Sequence, residues 1–307
     1  MSRTDMPNGA MYVEREAPIA RIVFNRPEQN NPMNDEWRAD LEAALELLRP
    51  QTDIATVIIK GNGRSLSSGG DLEALNSFFG GTRYDDRQNS LRIGRFLYRT
   101  LWQYPKPIVL QVHGYCIGGG ISLMGAADVV VIEEEARIGS PEARALGFEP
   151  FLGFWALTLG PRWAKLLLFT GDSIDGKTAE AIGMVTKAVP GEQLEEYVEW
   201  LARRIANVGL ETLSIQKEAV NSAFEILGLE AILKTTMVYN HLAHSTDRAG
   251  QFLEKIRSDG IREAVAWRDG PFGGAQRVGG RLPLLDGPEP DPSAAPERGR
   301  PERPAGG

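Results

Sequence analysis

Two turns built from small residues constrain the fold of this chain more than any other feature. The first, Ser65–Asp71, follows the apolar run Ile54–Lys60; the second, Gly118–Gly120, follows Pro107–His113 and precedes an apolar stretch typical of a helix. Glycine lets a backbone come close to a ligand. Two backbone amides aimed at one position form an oxyanion hole, which stabilises charge on a carbonyl oxygen. The turns therefore indicate carbonyl chemistry at two strand-to-turn junctions.

The order strand, turn, helix recurs along the first part of the chain, and this order predicts the α/β class with a parallel sheet. After Pro190 the pattern changes. Three helices are predicted there with no strand between them, at Glu192–Val208, Glu211–Leu227 and Leu229–Ile256. These helices indicate a separate region for packing or assembly.

Four segments follow from these patterns. Residues 1–10 are predicted to be a mobile N-terminal arm, residues 11–190 the core and residues 191–269 the helical region. In residues 270–307 Gly, Pro, Arg and Glu dominate. A segment of that composition buries too little apolar surface to offset its ordering entropy, so we expect a disordered tail.

Charge and cysteine content narrow the partners and the compartment. The formal net charge of −7 argues against nucleic acid as the main partner, although a local patch can still bind a phosphorylated small molecule. Cys116 is the single cysteine, which rules out an internal disulfide and fits a reducing, cytoplasmic compartment. The polar start Met1–Ala10 has no apolar signal region, and no run approaches the roughly 18 apolar residues of a membrane span. We expect no membrane association.

One motif points to a different class of protein. Gly171–Thr178 matches the phosphate-loop pattern G-x-x-x-x-G-K-[ST], which is typical of an NTPase. Against that function, Asp172 and Asp175 put carboxylates in a loop that would hold phosphates, and no following strand ends in an Asp to hold Mg²⁺. The interpretation we favour is that Gly171 ends one helix and Lys177-Thr178 starts the next.

Five motifs in order resemble the enoyl-CoA hydratase/isomerase (crotonase) superfamily, from about Val13 to Ile256. They are Phe24–Pro27, Ser65–Leu72, Val112–Gly120, Gly139–Glu142 and the stretch from Phe169 to Val185. The resemblance implies a crotonase-like spiral of strand-strand-helix repeats with a C-terminal helical assembly region. It also implies a homotrimer or a dimer of trimers.

The resemblance further implies an acyl-CoA thioester substrate, with coenzyme A as part of the substrate and no separate cofactor. By position, the amides of Ser68 and Gly119 would bind the thioester oxygen. The coenzyme A arm would lie along the first turn. The residues implied to bind it are Gln29, Asn30, Ser65, Ser67, Ser68, Gly69, Gly70 and Asp71.

Removing a proton beside a thioester carbonyl makes an enolate, and a carboxylate must take or return that proton. Hydratases of the family usually place two glutamates there. Glu142 occupies one of these positions, and Ser122 stands at the other, where it packs or contacts a water. A lone glutamate also occurs in isomerases and in some aromatic-acyl hydratases of the family. Glu149 lies near the place of a second acidic group in some isomerase relatives.

The remaining alternatives are an isomerase without water addition, a histidine-assisted hydrolase and a CoA-binding scaffold that has lost catalysis. His113 is predicted to be structural. His241 and His244 share a helix face with no third ligand nearby in sequence, so we expect no metal site. Four bulky side chains after Glu142 either line an acyl pocket or belong to the core: Phe148, Phe151, Phe154 and Trp155.

Overall fold

A mixed sheet forms the centre of the protein in the computed structural model, which describes residues 1–74, 82–148, 152–278 and 280–286. Within those residues the strand order is β1-β2-β3-β4-β5-β7-β9, antiparallel from β1 to β3 and parallel from β3 onward. The strands of this sheet are Ser2–Asp5 (β1), Met11–Glu16 (β2), Ile19–Phe24 (β3), Thr56–Gly61 (β4), Ile108–Val112 (β5), Val129–Glu133 (β7) and Lys187–Val189 (β9).

A second, short parallel layer runs beside the first. Tyr115–Ile117 (β6) pairs with Arg137–Gly139 (β8). Isolated bridges extend this ladder from Ser67 to Cys116 and from Ile138 to Ile174. Each turn of the chain therefore places one strand in the large sheet and one segment in the small layer. This arrangement, with the helices that follow, is the predicted spiral of strand-strand-helix repeats.

The described helices surround the two layers. They are Asp35–Leu48 (α1), Arg83–Leu97 (α2), Gly119–Ala126 (α3), Leu152–Thr158 (α4), Gly160–Thr170 (α5), Gly176–Ala181 (α6), Leu194–Ala206 (α7), Leu210–Ile226 (α8), Leu229–Ala243 (α9), Asp247–Asp259 (α10), Ile261–Asp269 (α11) and Pro283–Asp286 (α12). Shorter 3₁₀ turns lie at Pro27–Gln29, Pro141–Arg144, Gly191–Gln193 and Gly270–Phe272, and a π-helical turn extends α2 over Tyr98–Trp102. None of these helices is long and apolar enough to cross a membrane.

Helix α1 shows how the sequence builds the core. Asn34 caps it, because the side-chain oxygen accepts a hydrogen bond from Trp37 N at 3.0 Å. The Trp37 ring then packs edge-on against Phe24 of β3, with 5.2 Å between ring centroids. Helix α7 covers the opposite face of the sheet through Val198 and Ala202. The sheet is buried on both faces, as expected for parallel strands.

The N-terminal segment predicted to be a mobile arm is instead paired with the sheet and packed against the core. Ser2–Asp5 forms strand β1 and pairs antiparallel with β2. Met6 is buried in the core, and Asp40 accepts hydrogen bonds from the backbone amides of Asn8 and Ala10. The polar composition of Ser2–Asp5 gave no strand signal, because this edge strand is held by backbone pairing with β2.

The predicted disordered tail also needs correction, for residues 270–278 and 280–286. The guanidinium of Arg137 donates to the backbone carbonyls of Arg277 and Gly280. The amide of Ser173 donates to the Gln276 side chain at 2.7 Å, and Leu282 is 5% exposed. This segment therefore docks on the core. The rest of the predicted tail, 287–307, lies outside the described residues.

Two further helix boundaries test the sequence predictions, one in the helical region and one at the phosphate-loop match. The single helix predicted over Leu229–Ile256 is two helices, because Thr246 caps α10 by accepting from the amide of Ala249. The interpretation of the phosphate-loop match is confirmed: Gly171 ends α5 in a left-handed conformation, and Lys177 lies in the first turn of α6.

Candidate active site

The two small-residue turns lie side by side because the short layer binds them together. The amide of Ser67 donates to Tyr115 O at 3.0 Å, and the amide of Ile117 donates to Ser67 O at 3.2 Å. At Gly69, where φ is +90°, a Cβ would lie 2.6 Å from Ile117 O. Only glycine fits both this conformation and this contact.

The structure overturns the prediction that Ser68 donates to a thioester oxygen. Its amide already donates to Asn30 O at 2.8 Å, while its hydroxyl is 3.5 Å from Gln29 O. The loop that carries Gln29 and Asn30 folds over this side of the turn, and Asn30 Oδ1 accepts from Arg64. An amide with an internal partner is not an oxyanion donor.

The available amide is two residues further on, at Gly70. Its neighbours are engaged: the amide of Gly69 donates to Ser67 Oγ at 3.1 Å and that of Asp71 to Met33 O at 3.0 Å. Gly70 N has no acceptor in the part of the chain that the structure describes. The sequence placed Gly70 only along the coenzyme A arm, since periodicity does not reveal which amide a turn leaves unbonded.

Gly119 stands where the sequence predicted a donor. It is the first residue of α3, and the first amides of a helix have no intrahelical acceptor. Among the described residues its amide has no other acceptor either, whereas the amide of Gly118 donates to Gly139 O at 2.9 Å. A Cβ on Gly119 would lie 3.8 Å from Gly70 N, so these two amides border the same small space.

Glu142 approaches that space from the other side. It lies in the 3₁₀ turn after β8, and Ser140 Oγ donates to its Oε1 at 2.6 Å. A Cβ on Gly118 would be 3.2 Å from Oε2 and 3.4 Å from Oε1. The carboxylate therefore lies directly over the glycine turn, where a side chain at Gly118 would crowd it.

A cavity of about 460 Å³ joins these groups. Its polar lining includes Gly70, Asp71, Gly119, Ser122, Glu142, Asn89, Asn240 and His244. Its apolar lining includes Met33, Trp37, Ile93, Phe96, Leu97, Leu146, Phe148 and Met237. Ser122 is 1% exposed, so only its edge meets the cavity. The space has the size and the mixed lining of a small-molecule site.

Two arginines line the cavity as well, Arg38 and Arg92. Burial, with repulsion from Arg92, lowers the pKa of the Arg38 guanidinium to about 10, which leaves it protonated at neutral pH. Asp35 pairs with both of them. The cavity thus has a cationic side that fits an anionic ligand.

Other predicted site residues fall into three groups. Gly70 and Asp71 line the cavity, whereas the side chains of Ser65 and Ser67 are fully buried, and the Ser67 hydroxyl holds the turn by donating to Asn31 O and accepting from the amide of Gly69. Glu149 lies outside the described residues.

The bulky side chains after Glu142 that the structure describes have different surroundings. Phe148 lines the cavity, and its amide donates to Asn240 Oδ1 at 2.9 Å. Trp155 is 4% exposed, and Phe154 packs on Phe224 with 5.3 Å between centroids. These two rings belong to the core, and Phe151 lies outside the described residues.

Sequence reasoning missed the anchor of the Glu142 turn. The Arg144 side chain is 4% exposed; its Nη1 donates to Asp269 at 2.9 Å, its Nη2 to Asp172 at 2.7 Å and its Nε to Thr170 O at 2.9 Å. An arginine and two aspartates far apart in sequence gave no local signal.

Sequence reasoning also missed Asp86, which lies between His241 and His244. The Nδ1 atoms of His241 and His244 lie 2.9 Å and 3.0 Å from the Asp86 carboxylate. The expectation of no metal site rested on the lack of a third ligand nearby in sequence, whereas Asp86 reaches the two histidines from a distant part of the chain. His113 is structural as predicted, because its Nε2 contacts Gly63 O at 3.0 Å.

Comparison with known proteins identifies the family of the chain. Residues 14–259 match the family described as Enoyl-CoA hydratase/isomerase. The chain belongs to the enoyl-CoA hydratase/isomerase family. The resemblance inferred from the five motifs is confirmed, as is the fold class.

Particular relatives extend the match over most of the chain. A Thermus thermophilus relative, whose name places it among the enoyl-CoA hydratases, is 33% identical over 78% of this chain and 93% of its own. The 2,3-dehydroadipyl-CoA hydratase of Escherichia coli is 28% identical over 81% of this chain and 97% of its own. The crystal structure of an enoyl-CoA hydratase from Mycobacterium smegmatis has a TM-score of 0.81 and 32% identity, and the match covers 88% of this chain and 96% of that one.

Proposed function

We propose that this enoyl-CoA hydratase/isomerase family member stabilises a thioester enolate between the amides of Gly70 and Gly119, with Glu142 as its acid and base. The observation that carries the proposal is a pair of amides that have no acceptor among the described residues and border one cavity with a carboxylate. The first donor is Gly70, which replaces Ser68 in the interpretation made from sequence.

For a 2-enoyl-CoA, the proposed step begins when Glu142 takes a proton from water. The water oxygen bonds to C3, the C2–C3 π electrons move toward the carbonyl, and the thioester oxygen gains negative charge. Glu142 then returns a proton to C2 as the carbonyl reforms. The product is the 3-hydroxyacyl-CoA, and no other reactant is needed.

The energetic contribution rests on fixed donors. Losing one donor of an oxyanion hole typically costs about 2.7–4 kcal/mol of barrier, because the amide dipole needs no reorganisation as charge develops. Gly119 adds the positive end of helix α3 to its own N–H. Both effects act on the thioester oxygen and strengthen as the enolate forms.

Isomerisation without water addition is the second candidate, and Ser122 favours it. In the position where the family resemblance implies a second glutamate, this chain has a buried serine. A single carboxylate is sufficient to move a proton between C2 and C4 of a 3-enoyl-CoA. The hydratase names of the relatives favour hydration instead.

The lining supports an acyl-CoA as the ligand. Met33, Ile93, Phe96 and Met237 offer an apolar surface for an acyl chain. Arg38 offers positive charge for a phosphate of coenzyme A. No separate cofactor is required, since coenzyme A is part of the substrate.

The decisive experiment compares a 2-enoyl-CoA with a 3-enoyl-CoA. Loss of enoyl-thioester absorbance reports hydration, and a shift of the double bond reports isomerisation. Glu142→Gln is expected to lower kcat by about 10²–10⁴ in either reaction, the usual contribution of a positioned acid or base. Glu42→Gln, at an exposed position on α1, is the matched control and is expected to retain activity.

Two outcomes would contradict the proposal. Full activity in Glu142→Gln would remove that residue from the mechanism. Binding of many acyl-CoA thioesters by the wild-type protein, with turnover of none, would favour the CoA-binding scaffold instead.

We also propose that the chain assembles into a homotrimer or a dimer of trimers through the helical region. Large apolar side chains are exposed there, including Ile215 at 62%, Val220 at 60% and Tyr239 at 59%. Exposed apolar surface of this kind is typical of interfaces. Light scattering coupled to size-exclusion chromatography tests the assembly, and a monomer at micromolar concentration would contradict it.

A further inference from the structure

Three side chains of metal-ligand type converge at one edge of the cavity. Asp86 comes from helix α2, and His241 and His244 come from the last turn of α9 and the residue after it. His241 Nδ1 is 2.9 Å from Asp86 Oδ2, and His244 Nδ1 is 3.0 Å from Asp86 Oδ1. One ligand atom from each residue lies within 4.8 Å of the other two.

We propose that Asp86, His241 and His244 form a site for a divalent late transition metal, with Zn²⁺ as the fitting ion. Two imidazoles and one carboxylate are a ligand set that zinc accepts, with a fourth position left for water or another ligand. Imidazole nitrogen disfavours Mg²⁺ and Ca²⁺, which prefer oxygen ligands. The proposal is independent of the reaction assigned to Glu142.

The distances are close to those of a loaded site. Tetrahedral zinc with bonds of about 2.0–2.2 Å separates its ligand atoms by about 3.4 Å. The observed nitrogen-to-oxygen separations are 2.9, 3.0 and 3.2 Å. Side-chain movements that lengthen these nitrogen-to-oxygen separations would admit the ion, since the three ligand atoms already lie within 4.8 Å of one another.

The backbone also prepares the cluster. Residues three apart on a helix face the same side, so His241 and His244 present their rings together. The side chains of Asp86, His241 and His244 are 14%, 17% and 8% exposed, so packing limits their rotamers. A largely preformed site lowers the ordering cost of binding.

Charge is favourable too. The cluster holds one carboxylate and two imidazoles, with a formal charge of −1 when the rings are neutral. The Nδ1 atoms of His241 and His244 both face the Asp86 carboxylate. When these nitrogens carry no proton, their lone pairs point toward the space beside that carboxylate. Zn²⁺ would take the place of those protons.

A bound ion would connect α2 to α9 and fix one wall of the substrate cavity, since His244 lines that cavity. The same ion would leave an open coordination position at the cavity edge. We infer from this placement that the metal holds the cavity wall in place.

The test uses untagged full-length protein, stripped with a chelator and titrated with Zn²⁺ by calorimetry. We expect one ion per chain and a higher melting temperature. Removing a partner that only hydrogen-bonds to a ligand of a metal site costs about 10–100-fold in metal affinity. Asp86 and His241 are proposed direct ligands, so Asp86→Asn and His241→Gln are expected to lose at least tenfold in Zn²⁺ affinity. His113→Gln is the matched control, because His113 is the one histidine of the chain that lies outside the cluster.

A second measurement keeps the proposal testable if the variants fold poorly. The visible spectrum of the wild-type protein with Co²⁺, and X-ray absorption of the Zn²⁺ form, should report tetrahedral coordination with two imidazole nitrogens. Absence of binding at 100-fold excess of Zn²⁺, or equal affinity in Asp86→Asn and wild-type protein, would overturn the site. Comparable binding of Mg²⁺ would overturn the assignment of the metal class.

Discussion

Two substitutions of Gly119 test the proposed oxyanion hole, because one keeps the backbone amide hydrogen and the other removes it. Gly119→Ala keeps the backbone N–H, whereas Gly119→Pro removes it. Gly119 is the first residue of α3, a position that tolerates proline because its amide has no intrahelical acceptor. Either side chain adds a Cβ 3.0 Å from Met33 Sδ, the movable end of a flexible side chain.

The expected magnitude follows from this pairing. Both variants place a Cβ near Met33, so their difference reports the loss of the amide hydrogen, together with the proline ring carbon that takes its place beside the thioester oxygen. Losing one oxyanion donor costs about 2.7–4 kcal/mol, so kcat of Gly119→Pro should fall about 10²–10³-fold below that of Gly119→Ala. The alanine variant itself loses less, although its methyl group lies 3.8 Å from Gly70 N.

The assay is steady-state turnover of a 2-enoyl-CoA, together with circular dichroism and thermal melting of both variants. Proline also restricts Gly118, whose φ is 53° and ψ is −118°, and any resulting strain would appear as a lower melting temperature. Equal kcat in two folded variants would refute the role of this amide. An infrared spectrum of bound, carbonyl-labelled thioester that shows no shift from its value in water would refute it without any substitution.

Four further outcomes follow from the same structure. Ser68→Ala should retain wild-type kcat, since the hydroxyl it removes is exposed and the amide stays bonded to a neighbouring loop; a hundredfold loss would give the Ser68 side chain a role that this structure does not assign. Gly69→Ala should lower the free energy of unfolding by at least about 1–3 kcal/mol, measured with urea, because its φ is +90° and its Cβ would meet Ile117 O. Arg144→Met should cost about 3–5 kcal/mol of stability by leaving two buried aspartates without this partner, and should lower kcat by displacing the Glu142 turn; unchanged melting would contradict this. Burial raises the pKa of Asp269, but hydrogen bonds and charge from two arginines outweigh it, so its pKa lies below the ordinary value. Its stabilisation is therefore present above about pH 4 and lost as the pH falls through the lowered pKa, and Asp269→Asn should flatten the melting temperature in that range.

The sequence was sufficient for the family and for most of the framework. Apolar strands, glycine turns and the Asn34 cap are local signals, and each depends on residues close together in the chain. The motifs around Glu142 and Gly119 therefore pointed to several of the residues that line the cavity. The phosphate-loop match was resolved in the same local way, since Gly171 ends a helix.

Only the tertiary structure decided which groups of the site are available. Whether Ser68 or Gly70 has an unbonded amide depends on Asn30, which folds back over the turn from an earlier loop. Asp86 reaches His241 across 155 residues of sequence. Hydrogen bonding and ligand convergence are properties of atoms close in space, whereas the patterns read from a sequence are periodic and short in range. For that reason the chain by itself determined the kind of protein, and the packing of its distant segments determined the donors and the candidate metal ligands.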